Sequence, residues 1–518
     1  MPEEAIKSQA SGRLLDDAVD HHRAGRLHAA LQGYAEALAL GAAPTVPLLE
    51  AAAAAAWELG RPGEALMRLR QMVAISPAAT MAHRNLGVSA ADGGDAAVAL
   101  RRYTRAIACE PTNHRVWSAV ASARTDLGNR SAAASAWRRA LTLGASESDA
   151  LYNLGVLAQD GDRWQEAAAA YRRALAIEPR HAAAAGNLGA CLSELGRTAE
   201  AIAAFEAAAA SEPAVFRRRH ALHLEHLKAG SFDAAWAAIT DADSPSVDGL
   251  RGRTVLLYDT CGYGDFIQFM RYTPLVRAVA RQVCLRVPAA LVGLARRAFG
   301  HAQVVSADAD PPAHDIAVRL LDLPRLFGTT GATIPAAGPY LSADPERARQ
   351  WLPRIDRRGV AVGFAWAGDS AYPLNHLRSP GLDVLGPLLS DVDGVRFHAL
   401  QVGAGRVDVR NGGLPSSVLD LGADIHDFDH TAAIVAGLDL VISPCTAVAH
   451  LSAALGKPTW VMLRHASDWR WMLDRDDSPW YPSLRLFRQR RPGRWDEVIE
   501  DLRDALAKVR RNQEKGKT

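Results

Sequence analysis

The stretch GDAAVALRRYTRAIACEP, Gly94 to Pro111, decides the fold of the first half of the chain. It opens on a glycine, places the small Ala99 and then the bulky Tyr103 inside, and closes on a proline. Steps of 34 residues in either direction meet the same residue types. Alanine recurs at Ala65, Ala99, Ala133, Ala167, Ala201 and Ala235. Gly60, Gly94, Gly128, Gly196 and Gly230 keep that register, with Asp162 standing in once. Pro77, Pro111, Pro179 and Pro213 mark the ends of units, with Ala145 in the missing slot. Tyr103, Trp137, Tyr171 and Phe205 are the large residues between them, and a unit around Gly25, Ala30 and Tyr34 sits one residue out of step. A fixed period of this length means stacked helix pairs, because one pair cannot bury its own apolar face and its neighbours must. Small residues let two helices approach, large ones fill the gap to the next pair, and proline ends each second helix by breaking the hydrogen-bond ladder.

Period and residue types resemble the tetratricopeptide repeat family from about Ser11 to Pro213, with a degenerate seventh unit running to about Asp248. An array of six repeats plus that capping unit is therefore expected over residues 11–250, after a disordered start at residues 1–10. The resemblance implies an all-α solenoid whose concave groove holds a partner protein. Repeats do not name the partner, and a spacer or oligomerisation module has the same architecture. The basic run Arg217-Arg218-Arg219 reads as a solvated helix face.

Composition limits the alternatives. The 518 residues suffice for two to four domains. A net charge of +2 advertises no polyanionic partner, and the isolated run Arg488 to Arg491 does not argue for nucleic acid. The five cysteines, Cys109, Cys191, Cys261, Cys284 and Cys445, form no C-x-x-C pair, which argues against a zinc ribbon and fits a reducing compartment. No apolar run is long enough to span a membrane, and MPEEAIKSQA is not a signal peptide, so a cytoplasmic location is expected.

From Arg253 onward short apolar strands alternate with helical patterns, which implies parallel sheets covered on both faces. Strands are expected at Thr254–Tyr258, Gln282–Val287, Ile316–Val318, Val360–Ala365, Arg396–Gln401, Leu440–Ser443 and Thr459–Leu463. Helices are expected at Phe266–Val279, Thr431–Gly437 and Ala447–Leu455. The pattern divides into a first lobe over 251–340, a linker over 341–357, a second lobe over 358–510 closed by a helix from Trp495 to Val509, and a tail over 511–518. Ligands of such sheets bind beyond the carboxyl ends of strands, so the turns there are the places to look. One is CGYGDFIQFMRY, Cys261 to Tyr272, a strand-to-helix turn with no lysine for a phosphate but with Asp265. Another is Ser443-Pro444-Cys445-Thr446, where the helix that follows offers unpaired N–H groups to a phosphate. Ser443 and Thr446 either cap that helix or touch the phosphate.

The stretch DHTAAIVAGLDLVISPCTAVAHLSAALGKPTWVML resembles the donor lobe of lipopolysaccharide heptosyltransferase-like glycosyltransferases, which have the two-lobed GT-B fold. GYGDFIQFMRYTPLV resembles the family's first strand–turn–helix, VGFAWAGDSAYPLNHLRS the start of its second lobe, and DWRWMLDRDDSPWYPSLRLFRQ the branch fused to tetratricopeptide repeats. The likeness covers about Arg253 to Leu506. It implies that Asp265 is the general base, with Gly262 and Gly264 letting a ligand approach, against the alternative that Asp265 caps its helix. His376, Arg378, Ser443, Thr446 and His450 are the candidate donor contacts, with His450 and Arg378 weighed against packing and solvation. Where relatives have an acidic residue before the threonine, this chain has Cys445, which inverting transfer would not use as a nucleophile. Basic side chains and a helix start stabilise the leaving phosphate in this fold, so neither metal nor cofactor is expected. Asp424, Asp427 and Asp429 read as helix caps, and Trp469, Trp471, Trp480 and Tyr481 as loop anchors more than sugar contacts. The implied function is transfer of a sugar from a nucleotide-sugar donor to a protein held by the repeats, with bacterial surface proteins such as flagellin as possible acceptors. The alternative is a non-catalytic adaptor.

Overall fold

The computed structural model describes residues 2–240, 245–335, 338–390 and 393–515. The N-terminal region is a helical array. Its helices are α1 (Pro2–Arg23), α2 (Leu27–Ala39), α3 (Val46–Glu58), α4 (Pro62–Ile75), α5 (Thr80–Asp92), α6 (Ala96–Cys109) and α7 (His114–Asp126). There follow α8 (Arg130–Thr142), α9 (Glu147–Gln159), α10 (Trp164–Ile177), α11 (Ala182–Glu194), α12 (Thr198–Ser211), α13 (Phe216–Lys228) and α14 (Phe232–Ile239). The chain divides into two compact units, residues 1–191 and 192–518.

In the first unit the 34-residue pattern has a direct physical use. Ala65, Ala99, Ala133 and Ala167 have no exposed surface. A Cβ on Gly87 would lie 2.5 Å from the Tyr103 ring and one on Gly155 2.6 Å from Tyr171, so each large residue fills the space its neighbour's glycine leaves open. Gly60, Gly94 and Gly128 turn between helices at φ of 68°, 80° and 73°, and Asp162 takes φ 56° in the same slot. Asp95 and Asn129 cap α6 and α8 by accepting from the N–H groups of Val98 and Ala132. The disordered start expected at residues 1–10 is instead the beginning of α1, which runs from Pro2. Glu3, Glu4, Ala5, Lys7 and Gln9 are all good helix formers, which favours that extension.

The second unit begins inside the array. The degenerate seventh unit is a complete pair, α13 and α14, but its packing partner is the α/β domain rather than a further repeat. Leu227, Phe232 and Trp236 share one core with Leu250, Val255, Phe269 and Tyr272, and the Trp236 indole N–H donates to the Thr329 carbonyl at 2.7 Å. The array boundary expected at residue 250 is therefore a boundary of period and not of packing.

Two parallel sheets follow. Strands β1 (Thr254–Tyr258), β2 (Gln282–Val287), β3 (Gln303–Ser306) and β4 (Ile316–Arg319) form the first in the order β3-β2-β1-β4. Strands β5 (Val360–Phe364), β6 (Val395–Ala399), β7 (Leu419–Asp420), β8 (Leu440–Pro444), β9 (Thr459–Leu463) and β10 (Leu484–Arg488) form the second in the order β10-β9-β8-β5-β6-β7. Counted from β5, that is the doubly wound order 3-2-1-4-5-6, and the first sheet has its 3-2-1-4 portion. The order reverses between β1 and β4 in one sheet and between β5 and β8 in the other, which marks where each sheet opens a crevice.

Some local expectations shift. The single helix over Phe266–Val279 is two, Tyr263–Phe269 and Thr273–Val279, joined by a tight turn at Met270–Tyr272. Pro274 has no N–H for the carbonyl one turn back, so a continuous helix cannot pass it. The linker over 341–357 carries a helix, Pro345–Trp351. The closing helix runs from Trp495 to Lys515, into the segment expected as a tail. No helix among the described residues is long and apolar enough to cross a membrane.

Candidate functional site

The turn after β1 and the turn after β8 bring their helices together. A Cβ on Gly264 would lie 2.9 Å from Cδ2 of His450 and 3.7 Å from Cα of Ala447, so the Tyr263–Phe269 and Ala447–Ala454 helices touch near their starts. Gly264 thus leaves room for the His450 ring. Gly262 is the N-cap residue, with an extended backbone and an exposed surface.

Asp265 does two things at once. Its Oδ2 accepts the Gly262 N–H at 3.2 Å, closing the helix start, and its Oδ1 pairs with Nη2 of Arg470 at 2.5 Å. Arg470 lies on a short turn, Trp469–Trp471, and is buried. Its Nη1 donates to Oδ1 of Asp468 at 2.8 Å and its Nε to Oε1 of Gln268 at 2.7 Å. Gln268 is fully buried, and its Nε2 has no hydrogen-bond partner among the described residues. The guanidinium also lies 5.5 Å from the Phe269 ring centre and 4.7 Å from that of Trp469. One buried cation therefore holds two carboxylates from two lobes, and burial of a charge requires such pairing. Burial raises the Asp468 carboxyl, but the Arg470 charge and hydrogen bonds draw it down further, to a net value below its ordinary range.

Cys445 is at the middle of this group. Burial, then the charge of Asp468, pushes its thiol up to about 11, while Trp471 donates to Sγ at 3.1 Å and Arg470 and Arg378 act in the opposite direction. Such a thiol is protonated at neutral pH. Arg378 stacks on Tyr372 with its guanidinium 4.4 Å from the ring centre and donates to Asn375 Oδ1 at 3.2 Å. It has no carboxylate partner among the described residues, and Tyr372 is exposed. Ser443 and Thr446 hydrogen-bond to each other at 2.8 Å, so neither hydroxyl caps the Ala447–Ala454 helix, and its first N–H groups keep no side-chain partner. His376 lies on the same short Asn375–Arg378 turn as Arg378, exposed. His450 has the packing role weighed against ligand contact. It stacks on Trp471 at 5.2 Å, its Nδ1 bonds the Tyr481 hydroxyl at 3.0 Å, and burial, with Arg470 next, holds it down to about 3. A neutral ring cannot attract a phosphate by charge.

Arg378, Cys445, Asp468, Arg470 and Asp265 are thus one group, and His376, Ser443 and Thr446 border it. Arg470 and Asp468 were not singled out from sequence. The hint was their place among aromatics, since charges inside an apolar loop must be partnered. At one rim Arg464 makes two bonds to Glu194 at the end of α11, at 2.6 and 3.1 Å. Asp427 caps the Phe428–Gly437 helix by accepting from the His430 N–H, Asp429 pairs with Arg297 and Asp424 with Arg354. No group of metal-ligating side chains stands close enough to hold an ion among the described residues. Trp469, Trp471, Trp480 and Tyr481 are buried, and Trp480 and Tyr481 enclose the buried Arg271 together with Tyr340. A separate open cleft of about 740 Å³ is lined by Ser231, Asp233, Thr330, Met472 and Arg475 among others, and contains none of the candidate residues.

Comparison with known proteins addresses the array. The tetratricopeptide repeat family matches residues 50–114 and 121–177, and a second description of the same repeat matches 157–223. The N-terminal region therefore carries tetratricopeptide repeats. Protein FlbA of Caulobacter vibrioides is 26% identical over 303 residues, 52% of this chain and 50% of that protein. The chain spans about half the length of that curated relative. Among solved structures, MamA is 25% identical over 30% of this chain and 90% of its own, with a TM-score of 0.28. A tetratricopeptide repeat protein from Parabacteroides merdae is 15% identical over 45% of this chain and 95% of its own, with a TM-score of 0.37.

Proposed function

We propose that this chain is a glycosyltransferase of the GT-B kind that moves a sugar from a nucleotide-sugar donor onto a protein held by its repeats. One observation carries the reading. The reversal points of two doubly wound sheets meet at one group of side chains, where two carboxylates on Arg470 stand near Arg378, which has no carboxylate partner among the described residues, and an uncapped helix start. Inverting transfer needs both kinds of group: a base for the acceptor hydroxyl, and positive potential for the departing nucleotide phosphate. Arg378 and the first N–H groups of the Ala447–Ala454 helix would receive the phosphate, with Ser443, Thr446 and His376 beside them. Tetratricopeptide repeats serve protein recognition, which makes a protein the natural acceptor; a bacterial surface protein such as flagellin is the acceptor class we propose, and the cytoplasm the location.

A non-catalytic adaptor is the second reading, favoured by Cys445 at the turn after β8 and by Asp265, whose two oxygens are both engaged. Uridine, cytidine and guanosine nucleotide sugars, each tested in EDTA for thermal stabilisation and for turnover with cell-surface proteins, separate the two. A transferase binds one class, with about 2.7 kcal/mol of added stability at a hundredfold excess over Kd. If no donor class shifts melting or is consumed, the adaptor stands. Binding that EDTA abolishes would contradict a metal-independent site.

A further inference from the structure

We propose that Asp468, rather than Asp265, takes the proton from the acceptor hydroxyl, an inference that rests on the transferase reading above. The two carboxylates share Arg470 but differ in what they have free. Asp265 spends Oδ1 on Arg470 and Oδ2 on the Gly262 N–H. Asp468 spends only Oδ1, which accepts both the Arg470 backbone N–H at 3.0 Å and Nη1 at 2.8 Å. Its Oδ2 accepts no hydrogen bond from any described residue. The Asp468 side chain keeps 38% of its surface, against 27% for Asp265. A base must offer a lone pair to a proton within hydrogen-bond reach, and that oxygen is the one on offer.

The loop that carries Asp468 is held from several sides. Arg488 donates to the carbonyls of Trp471 at 3.2 Å and Met472 at 3.0 Å, and also to the Ser467 hydroxyl. Met472 and Asp474 adopt φ of 49° and 50°, a costly region for residues with side chains. Strain of this kind persists only where the surroundings over-determine it, and it clusters at working sites. Arg470 keeps Asp468 ionised, which is the form a base must have before it can take a proton. The other groups that face Asp468 are the neutral His450, the protonated Cys445, Tyr372, and Arg378 beyond the thiol.

In the transfer, the acceptor oxygen forms a bond to the anomeric carbon while its proton passes to Oδ2 of Asp468. The bond from that carbon to the donor phosphate breaks, and its electron pair leaves with the nucleotide phosphate beside Arg378. Asp265 acts through Arg470 as a positioning residue.

The test uses the full chain and whichever uridine, cytidine or guanosine nucleotide sugar it consumes. Asp468→Asn keeps Oδ1 as an amide oxygen, so melting should hold within about 3 °C while kcat falls at least about a hundredfold, the usual scale for a lost base. Donor KM should stay level, and the acid limb of the pH–rate profile should vanish. Asp468→Glu should recover part of kcat with a displaced acid limb, which decides the matter if the Asn variant folds poorly. Asp265→Asn should lose less and keep the acid limb. Near-normal transfer in Asp468→Asn, or an acid limb lost in Asp265→Asn alone, overturns the assignment and leaves the transferase reading standing. If the unaltered chain consumes no donor, both fall.

Discussion

Lys228 should be one of the least replaceable surface-type residues in the chain. It is buried with Glu225 one turn earlier on α13, their charged atoms 3.4 Å apart. Its Nζ also donates to Ser193 Oγ at 2.8 Å and to the Ser193 carbonyl at 3.2 Å, and Ser193 Oγ donates to Glu225 at 2.7 Å. Lys228→Met keeps much of the volume but strands the Glu225 carboxylate without its cation. Breaking a buried pair from one side costs about 3–5 kcal/mol, which for a unit of this size lowers Tm by roughly 4–7 °C. Removing both charges, as Lys228→Met with Glu225→Leu, leaves only Ser193 without its acceptor and should fall within about 1.5 kcal/mol of the parent. The double-mutant coupling is therefore at least about 2 kcal/mol. Urea and thermal unfolding followed by circular dichroism measure it. A Lys228→Met chain within 1 kcal/mol of the parent, or a double variant no better than the single, would show that the pair is not a closed unit and refute the reasoning.

Burial, ahead of all other causes, holds His223 to about 4 and His450 to about 3, so the folded chain keeps both neutral where the unfolded chain would protonate them near 6.5. The unfolded state binds more protons in that interval, so this stability is complete above about pH 6.5 and drains as pH falls toward 4 and 3. At pH 5 linkage makes the loss about 2 kcal/mol per histidine, seen as a lower Tm than at pH 7.5, and His223→Gln should flatten the slope. Iodoacetamide at pH 7.5 should alkylate the exposed Cys109 and spare Cys445, whose thiol is pushed up to about 11, as peptide mass spectrometry would show. Gly264→Ala should cost about 1–3 kcal/mol in urea unfolding, since its Cβ would crowd His450 at 2.9 Å; a neutral result would mean that the two helix starts are not packed together.

The array was legible because its information is periodic. Each 34-residue step repeats one packing problem, and the answers at Gly87 with Tyr103 and Gly155 with Tyr171 are the same answer. What periodicity cannot report is where packing changes partner. α13 and α14 keep the register of glycine and alanine at Gly230 and Ala235, yet Trp236 and Phe232 face the first sheet instead of an eighth repeat. Nothing local to the repeat distinguishes a tryptophan that meets a helix from one that meets a strand. Strands β1, β2 and β9 were readable as apolar runs between turn residues, whereas β3, β7 and β10 were not. Gln303 in β3, Asp420 in β7, and Arg485 and Arg488 in β10 break the apolar signal, and all three strands are sheet edges, β3 in the first sheet and β7 and β10 in the second.

The candidate site divides along the same line. The turns at Gly262–Asp265 and Ser443–Thr446 follow strands, and strand ends are where a parallel sheet presents ligands, so both were found from sequence. Asp468 and Arg470 follow no strand directly. They belong to a loop whose place depends on Arg488, on Arg271 through the Trp480 carbonyl, and on Gln268 of the other lobe. Their role is set by contacts about two hundred residues apart in sequence, of which neither partner carries a local mark. The one available clue was electrostatic: an aspartate and an arginine among three buried tryptophans need partners, and a nearby lone acidic residue at a helix start, Asp265, needs one too. Matching those needs before seeing the fold would have placed Arg470 on Asp265. It would not have distinguished the two carboxylates, because that depends on which oxygen a helix N–H has already taken.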